Sequence, residues 1–161
     1  FSLDDSVGDT AALLNAEARR RGIALEHAPG ARRADVLGDA VQIQQVIINL
    51  CLNAFDACDA QPPDRRRVRL ETADTPEGVQ LSVTDSGAGI PAADLPRIFD
   101  SFYSTKRGGM GLGLAIARSI VEAHGGTIHV ARRDDGTEFL VVLPHAPATG
   151  GAPSPAESHA P

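Results

Sequence analysis

Three polar clusters in this 161-residue sequence combine residue types and spacings that can do chemistry. The first is a stripe in a long apolar stretch, with spacings of four, four and three positions: Gln45, Asn49, Asn53 and Asp56. Such spacings place side chains on one face of a helix. A polar group on a buried helix costs free energy unless it is satisfied, so the stripe needs a polar network or a ligand. The sequence alone leaves both alternatives open.

The second cluster runs from Asp85 to Ile90 at the end of a predicted strand. Gly87 and Gly89 let the backbone turn sharply and approach a flat ligand closely. A carboxylate at Asp85 can accept a hydrogen bond from an exocyclic amine. An ordinary turn explains the same residues, because an acidic residue followed by two spaced glycines is a weak pattern.

The third cluster is the glycine-rich segment 106–114, which runs into a predicted helix. Free backbone N–H groups and the helix dipole favour phosphate at such a place. The segment is not a P-loop, because Lys106 precedes the glycines and is not followed directly by Ser or Thr. Helix-capping and packing glycines are the alternative explanation.

Helices and strands must position these clusters. We predict helices over 8–21, 39–60 and 112–123, and strands over 23–26, 68–72, 79–83, 127–131 and 137–143. Asp39 can cap the second helix, and Gln42 three residues later makes the pattern resemble a capping box. From residue 145 onward Ala, Pro, Gly and Ser dominate, so we predict a domain over 1–144 and a disordered tail over 145–161.

The order of these motifs resembles the histidine-kinase branch of the superfamily that also contains gyrase, the heat-shock chaperone and the MutL mismatch-repair ATPases. Five boxes match in order: 49–57 is similar to the N box, 85–89 to the first glycine box, 98–103 to the F box, 109–113 to the second glycine box and 136–139 to the final glycine box. The resemblance implies an α+β fold, a two-layer α/β sandwich. Its mixed, mostly antiparallel sheet would carry about three helices on one face, with a flexible lid over ATP.

The resemblance also implies a site for ATP and Mg²⁺. In it Asp85 would read the adenine amine, Asn53 would hold Mg²⁺, and Lys106 would supply positive charge to the γ-phosphate. Asn49 and Lys106 would be the catalytic residues. The remaining nucleotide contacts would be Asp56, Gly87, Gly89, Ile90, Phe99, Gly109, Met110, Gly111, Leu112, Gly113 and Thr137.

Two positions depart from the family pattern. Asp56 stands where many members carry a basic residue that can touch phosphate, so more of that contact falls to Lys106 or Arg107. Asp100-Ser101 stands where a Glu-Pro pair is common in the F box, which affects how the lid is anchored.

The implied activity is transfer of the γ-phosphoryl group to a histidine on a separate helical hairpin. None of the five histidines fits that acceptor, so the expected partners are a hairpin of the same parent protein and, downstream, a response-regulator receiver domain. We expect a monomeric isolated domain and a homodimeric parent. The alternatives are an ATP-hydrolysing conformational switch and an anti-sigma-like nucleotide-binding module. Asn49 argues against the switch, since gyrase-type enzymes carry a water-activating glutamate there.

Composition sets further limits on partners and location. The formal net charge of -6 repels a nucleic-acid backbone on average, so no nucleic-acid partner is expected. No apolar run approaches the ~20 residues of a membrane span, so we expect a cytoplasmic domain, whose parent protein can be membrane-anchored. Cys51 and Cys58 lie seven apart on one predicted helix, about 10 Å and beyond disulfide reach. Buried reduced thiols are therefore expected.

Overall fold

The computed structural model describes residues 1–101, 103 and 112–148. Its elements are α1 (Leu3–Arg20), β1 (Ala24–Ala28), α2 (Ala40–Cys58), β2 (Arg67–Thr75), β3 (Gly78–Asp85), α3 (Gly113–Ala123), β4 (Thr127–Arg133) and β5 (Gly136–Leu143), with short 3₁₀ turns at Pro63–Arg65 and Leu95–Arg97. The predicted order of helices and strands is confirmed. Most of the expected lid, which we take as residues 98–110, lies outside the described residues.

The strands of the described part form one mixed sheet in the order β1-β2-β3-β5-β4. β1 pairs with β2 in parallel, and the other neighbouring pairs are antiparallel. Side chains alternate across the sheet, so that Val68 and Leu70 are buried while Arg67 and Arg69 are exposed. α1 packs on β1, α2 on β2 and β3, and α3 on β4. This arrangement confirms the predicted two-layer α/β sandwich.

α2 is the central helix and contacts both α1 and α3. Its buried residues are Ile43, Val46, Ile47, Leu50, Cys51, Ala54, Phe55 and Cys58. Asp39 Oδ1 accepts hydrogen bonds from the amides of Val41 and Gln42, which confirms the predicted cap. The amide of Asp39 itself donates to Nε2 of His124, the residue that follows α3. This bond ties the start of α2 to the end of α3.

The first helix begins at Leu3, so the predicted start at residue 8 is wrong. Ser2 is the N-cap, and its hydroxyl accepts a hydrogen bond from the amide of Asp5. Asp4 and Asp5 lie in the first turn, where negative charge is favourable to the helix dipole. The capping serine thus extends the helix beyond the apolar pattern.

The start of the chain and the residues just after β5 lie near one another along the segment before α2. Ser2 pairs with Asp35, Val36 pairs with His145, and the amide of Ala146 donates to the carbonyl of Asp35. Residues 149–161 are outside the described part, so the boundary at residue 144 stays a prediction.

Both cysteines lie buried on α2 without a disulfide. Burial raises the pKa of the Cys51 thiol to about 12. The expectation of buried reduced thiols therefore agrees with the structure. No helix within the described ranges is long and apolar enough to cross a membrane.

Candidate active site

A cleft of about 740 Å³ opens between α2, the turn after β3, and the start of α3. Its lining consists of Asn49, Leu52, Asn53, Asp56, Ala57, Ala60, Asp85, Ala88, Gly89, Ile90, Pro91, Asp94, Ile98, Tyr103, Gly113, Leu114, Thr137 and Phe139. The volume lies within the range of about 300–1,000 Å³ that is usual for small-molecule sites.

Most of the described residues predicted for the site meet in this cleft. Those that line it are Asn49, Asn53, Asp56, Asp85, Gly89, Ile90, Gly113 and Thr137. Gly87, Phe99 and Leu112 are described but lie outside the lining. Lys106, Gly109, Met110 and Gly111 fall outside the described residues. The ligand-binding role of each residue stays a prediction.

The polar stripe of α2 forms one wall. Asn49, Asn53 and Asp56 are half-buried and face the cleft, whereas Gln45 is exposed. The apolar part of α2 is not buried throughout, since Leu52 is 38% exposed and also lines the cleft. The stripe therefore faces an open space large enough for a ligand.

Asn49 also joins two elements of the site. Its Nδ2 donates a hydrogen bond of 3.2 Å to the carbonyl of Gly113, the first residue of α3. α2 and α3 are thereby linked at the point where the predicted glycine box enters the helix.

Asp85 forms the polar floor of the cleft and is only 4% exposed. It is the last residue of β3 and lies opposite Thr137 of β5, so both side chains point toward the helices. Oδ1 accepts a hydrogen bond of 2.8 Å from the amide of Gly87, and the amide of Thr137 also bonds the carboxylate. Burial raises the pKa of Asp85, and these two amides partly oppose that shift. A buried carboxylate at the floor of a cleft is a candidate for ligand recognition.

Two glycines beside Asp85 are required by packing. A Cβ on Gly87 would lie 2.5 Å from the carbonyl oxygen of Ala57, so the turn after β3 rests directly on the end of α2. A Cβ on Gly136 would lie 1.9 Å from the carbonyl oxygen of Asp85, and Gly136 has a φ of 149°. Gly87 therefore does not line the cleft but allows the turn after β3 to pack closely against α2.

Phe99 of the predicted F box likewise lies behind the cleft. Its ring meets Phe139 edge to face, with the centroids 6.2 Å apart. The guanidinium of Arg118 on α3 lies 5.7 Å from the centroid of the Phe99 ring. Phe99 therefore anchors its segment between β5 and α3.

Several lining residues were missed from the sequence: Leu52, Ala57, Ala60, Ala88, Pro91, Asp94, Ile98, Tyr103, Leu114 and Phe139. Some carried a usable signal, since Leu52 and Ala57 lie within one turn of Asn53, and Tyr103 belongs to the F box. Asp94 carried no such signal in the sequence. Its carboxylate accepts a hydrogen bond from the hydroxyl of Tyr103, and this bond raises the pKa of the phenol.

Asp56 has a cationic neighbour from another helix. Nη1 and Nη2 of Arg21, the C-cap of α1, both lie 2.9 Å from Asp56 Oδ1. The acidic residue that departs from the family pattern is thus paired with an arginine. No spacing rule links the two positions, which are 35 residues apart.

The side chains at the cleft are compatible with a metal ion that is coordinated mainly by water and phosphate oxygens. The described residues contain no group of three or more His, Cys, Asp or Glu side chains that could hold a metal. Mg²⁺ retains several waters and often takes only one or two protein oxygens beside phosphate oxygens. The amide oxygen of Asn53 in the cleft wall is compatible with such a site.

The comparisons agree with this geometry. The family described as "Histidine kinase-, DNA gyrase B-, and HSP90-like ATPase" matches residues 38–147. Sensor protein FixL of Bradyrhizobium diazoefficiens is 39% identical over 148 residues, which cover 90% of this chain and 29% of FixL. The chain thus spans less than a third of that relative.

Solved histidine kinases share the fold. Full-length ShkA in complex with AMPPNP has a TM-score of 0.79 and 29% identity, covering 96% of this chain and 32% of ShkA. ThkA in complex with the response regulator protein TrrA has a TM-score of 0.77 and 29% identity, covering 93% of this chain and 42% of ThkA. The isolated catalytic domain of ThkA has a TM-score of 0.78 and 31% identity, covering 90% of this chain and 93% of that domain. The family model covers more than half of the chain, so the chain belongs to the histidine kinase-, DNA gyrase B- and HSP90-like ATPase family. Because the match to the ThkA domain is nearly end to end, it does so as the ATP-binding catalytic domain of a histidine kinase.

Proposed function

We propose that this domain transfers the γ-phosphoryl group of ATP to a histidine on a separate helical hairpin of its parent protein, in two-component signalling. The observation that carries the proposal is the cleft in which Asn49, Asn53, Asp85 and Thr137 meet. The buried carboxylate of Asp85 is suited to accept a hydrogen bond from the adenine amine, and the asparagines of α2 would face the phosphates.

The residue at position 49 favours transfer over hydrolysis. An amide cannot take a proton from water, and Nδ2 of Asn49 is engaged with the carbonyl of Gly113. A histidine acceptor is itself the nucleophile, so transfer requires placement and charge neutralisation rather than a strong base. This difference favours the kinase over the gyrase-type switch.

Mg²⁺ belongs to the same proposal, with Asn53 as its protein ligand. When bound, the ion would neutralise part of the charge of the phosphate groups. Lys106 and the glycines at 109, 111 and 113 are proposed as further phosphate contacts on the strength of the family resemblance.

The proposed partners are the phosphoacceptor hairpin, within a homodimeric parent, and a response-regulator receiver domain. The complex of ThkA with the response regulator protein TrrA supports the second partner. The complex of ShkA with AMPPNP supports an adenine nucleotide as the ligand of this fold.

Mixing the domain with the hairpin and radiolabelled ATP tests the proposal. We expect the chain alone to hydrolyse ATP very slowly and to remain unlabelled. Addition of the hairpin from the same parent protein should transfer label to the hairpin. That label should be lost in acid and retained in alkali, as for a phosphoramidate.

A hairpin whose acceptor histidine is replaced by glutamine is the control and should stay unlabelled. Fast hydrolysis without label would support the conformational switch instead. Nucleotide binding with neither hydrolysis nor label would support a binding module, and label that is stable in acid and lost in alkali would point to serine phosphorylation.

A further inference from the structure

The described wall of the cleft is acidic. Asp56, Asp85 and Asp94 line it, and no Lys or Arg is among the lining residues of the described ranges. ATP carries several negative charges, so three carboxylates at one cleft oppose its binding unless positive charge lies nearby. Asp56 is the carboxylate closest along α2 to Asn53, three positions away, a spacing that puts Cβ atoms about 5–6 Å apart.

Arg21 places a positive charge directly behind Asp56. Both terminal nitrogens of the guanidinium donate to Oδ1 of Asp56. The side chains are only 24% and 33% exposed, so solvent and salt screen this pair less than an ordinary surface pair. Arg21 itself does not line the cleft, so its charge acts on the cleft through Asp56.

The position of Arg21 is fixed by its other contacts. Its Nε lies 3.0 Å from Oε1 of Glu17, and Nη1 lies 3.9 Å from Oδ2 of Asp59. Its backbone carbonyl accepts a hydrogen bond of 2.7 Å from Arg66. The guanidinium is therefore held between α1 and α2 before any ligand binds.

We propose that Arg21 is a positioning residue for nucleotide binding, which neutralises Asp56 at the cleft wall and so permits a polyphosphate to bind beside Asn53. This inference rests on the proposed ATP site. The benefit should grow with ligand charge, because the removed repulsion acts on the phosphates. Affinity for ATP should depend on Arg21 most strongly, affinity for ADP less, and affinity for adenosine hardly at all.

The test measures dissociation constants for ATP, ADP and adenosine by calorimetry, without hairpin. Arg21→Met keeps an apolar stem but removes the charge, and we expect it to weaken ATP binding about tenfold or more at low salt. Asp56→Asn should tighten ATP binding, because Arg21 then meets no carboxylate at that position. Asp56→Asn in the Arg21→Met chain should restore ATP affinity to within about threefold of the parent.

Arg20→Met is the matched control. Arg20 is the neighbouring residue, is 72% exposed and pairs with Glu17, so its removal takes the same charge from the same helix end. It should leave the three affinities unchanged. Thermal unfolding of every variant reports whether the domain remains folded.

Several results would overturn the inference. They are equal losses for ATP and adenosine in Arg21→Met, no loss for ATP, an equal loss in Arg20→Met, or failure of Asp56→Asn to rescue a folded double variant. If Arg21→Met does not fold, Asp56→Asn alone decides, and weaker ATP binding would contradict the proposal. A parent chain that binds no ATP would overturn the ATP site as well, whereas binding without transfer to the hairpin would overturn the transfer reaction alone.

Discussion

Asp85 is a residue whose buried carboxylate is suited to ligand binding but lowers the stability of the nucleotide-free domain. Burial raises its pKa, so the folded chain holds the ionised form less favourably than the unfolded chain does. A raised pKa contributes stability that is complete below the unfolded-state value and is lost as pH rises through the folded-state value. At neutral pH the ionised carboxylate therefore costs stability, which a bound amine donor would offset.

Asp85→Asn should separate these two effects. We expect nucleotide affinity to fall about tenfold to a hundredfold, because a hydrogen bond to a charged group contributes ~1.5–3 kcal/mol. The nucleotide-free variant should unfold at the same or a higher temperature at pH 7, since the amide oxygen can still accept from Gly87 and Thr137. At pH 7 the parent should therefore be less stable than the variant or equally stable. Any such difference in unfolding temperature should disappear as pH falls below the raised pKa of Asp85. Calorimetry and thermal unfolding between pH 4 and 7 provide the two readouts, and unchanged ADP affinity would remove Asp85 from the adenine site.

At the scale of elements, the close approach of β3 and β5 holds Asp85 in place. Gly136 opens β5, and any side chain there would meet the backbone of Asp85. Gly113 opens α3, where an added Cβ would meet none of the described residues within 4 Å. The two glycines therefore have different roles: packing requires a glycine at position 136 but not at position 113.

Substitution of each glycine by alanine should distinguish these two roles. Gly136→Ala should destabilise the domain by about 1–3 kcal/mol or more, because it combines a disfavoured backbone conformation with a clash. Gly113→Ala should leave stability unchanged or raise it by about 0.5–1 kcal/mol, as expected for a helical glycine. Urea unfolding of both variants measures the difference. Equal stability of the two would contradict the packing role of Gly136.

The sequence predicted most elements because apolar residues repeat at helical or strand spacing along them. It missed the start of α1, where Ser2 supplies a cap outside the apolar pattern. The stripe of α2 was predictable because positions on one helix fix which side chains share a face. The pairing of Asp56 with Arg21 was not, since contacts between elements depend on how α1 and α2 pack.

At the scale of the whole molecule, the sandwich brings separate parts of the chain to one cleft. α2 contributes the asparagines, β3 and β5 contribute Asp85 and Thr137, and α3 begins at the opposite wall. A nucleotide in this cleft would contact all of these elements. Ligand binding to the folded state alone should then stabilise the domain as a unit.

Mapping of amide chemical shifts by NMR during titration with a non-hydrolysable ATP analogue tests the central claim most directly, because it reports where the nucleotide binds. We expect large changes at Asn49, Asn53, Asp85 and Thr137, and a further change at the Asn53 side-chain amide when Mg²⁺ is added. Arg69, exposed on β2 away from the helices, should be unaffected. Changes that spare the cleft and cluster on the exposed face of the sheet would contradict the proposed ATP site.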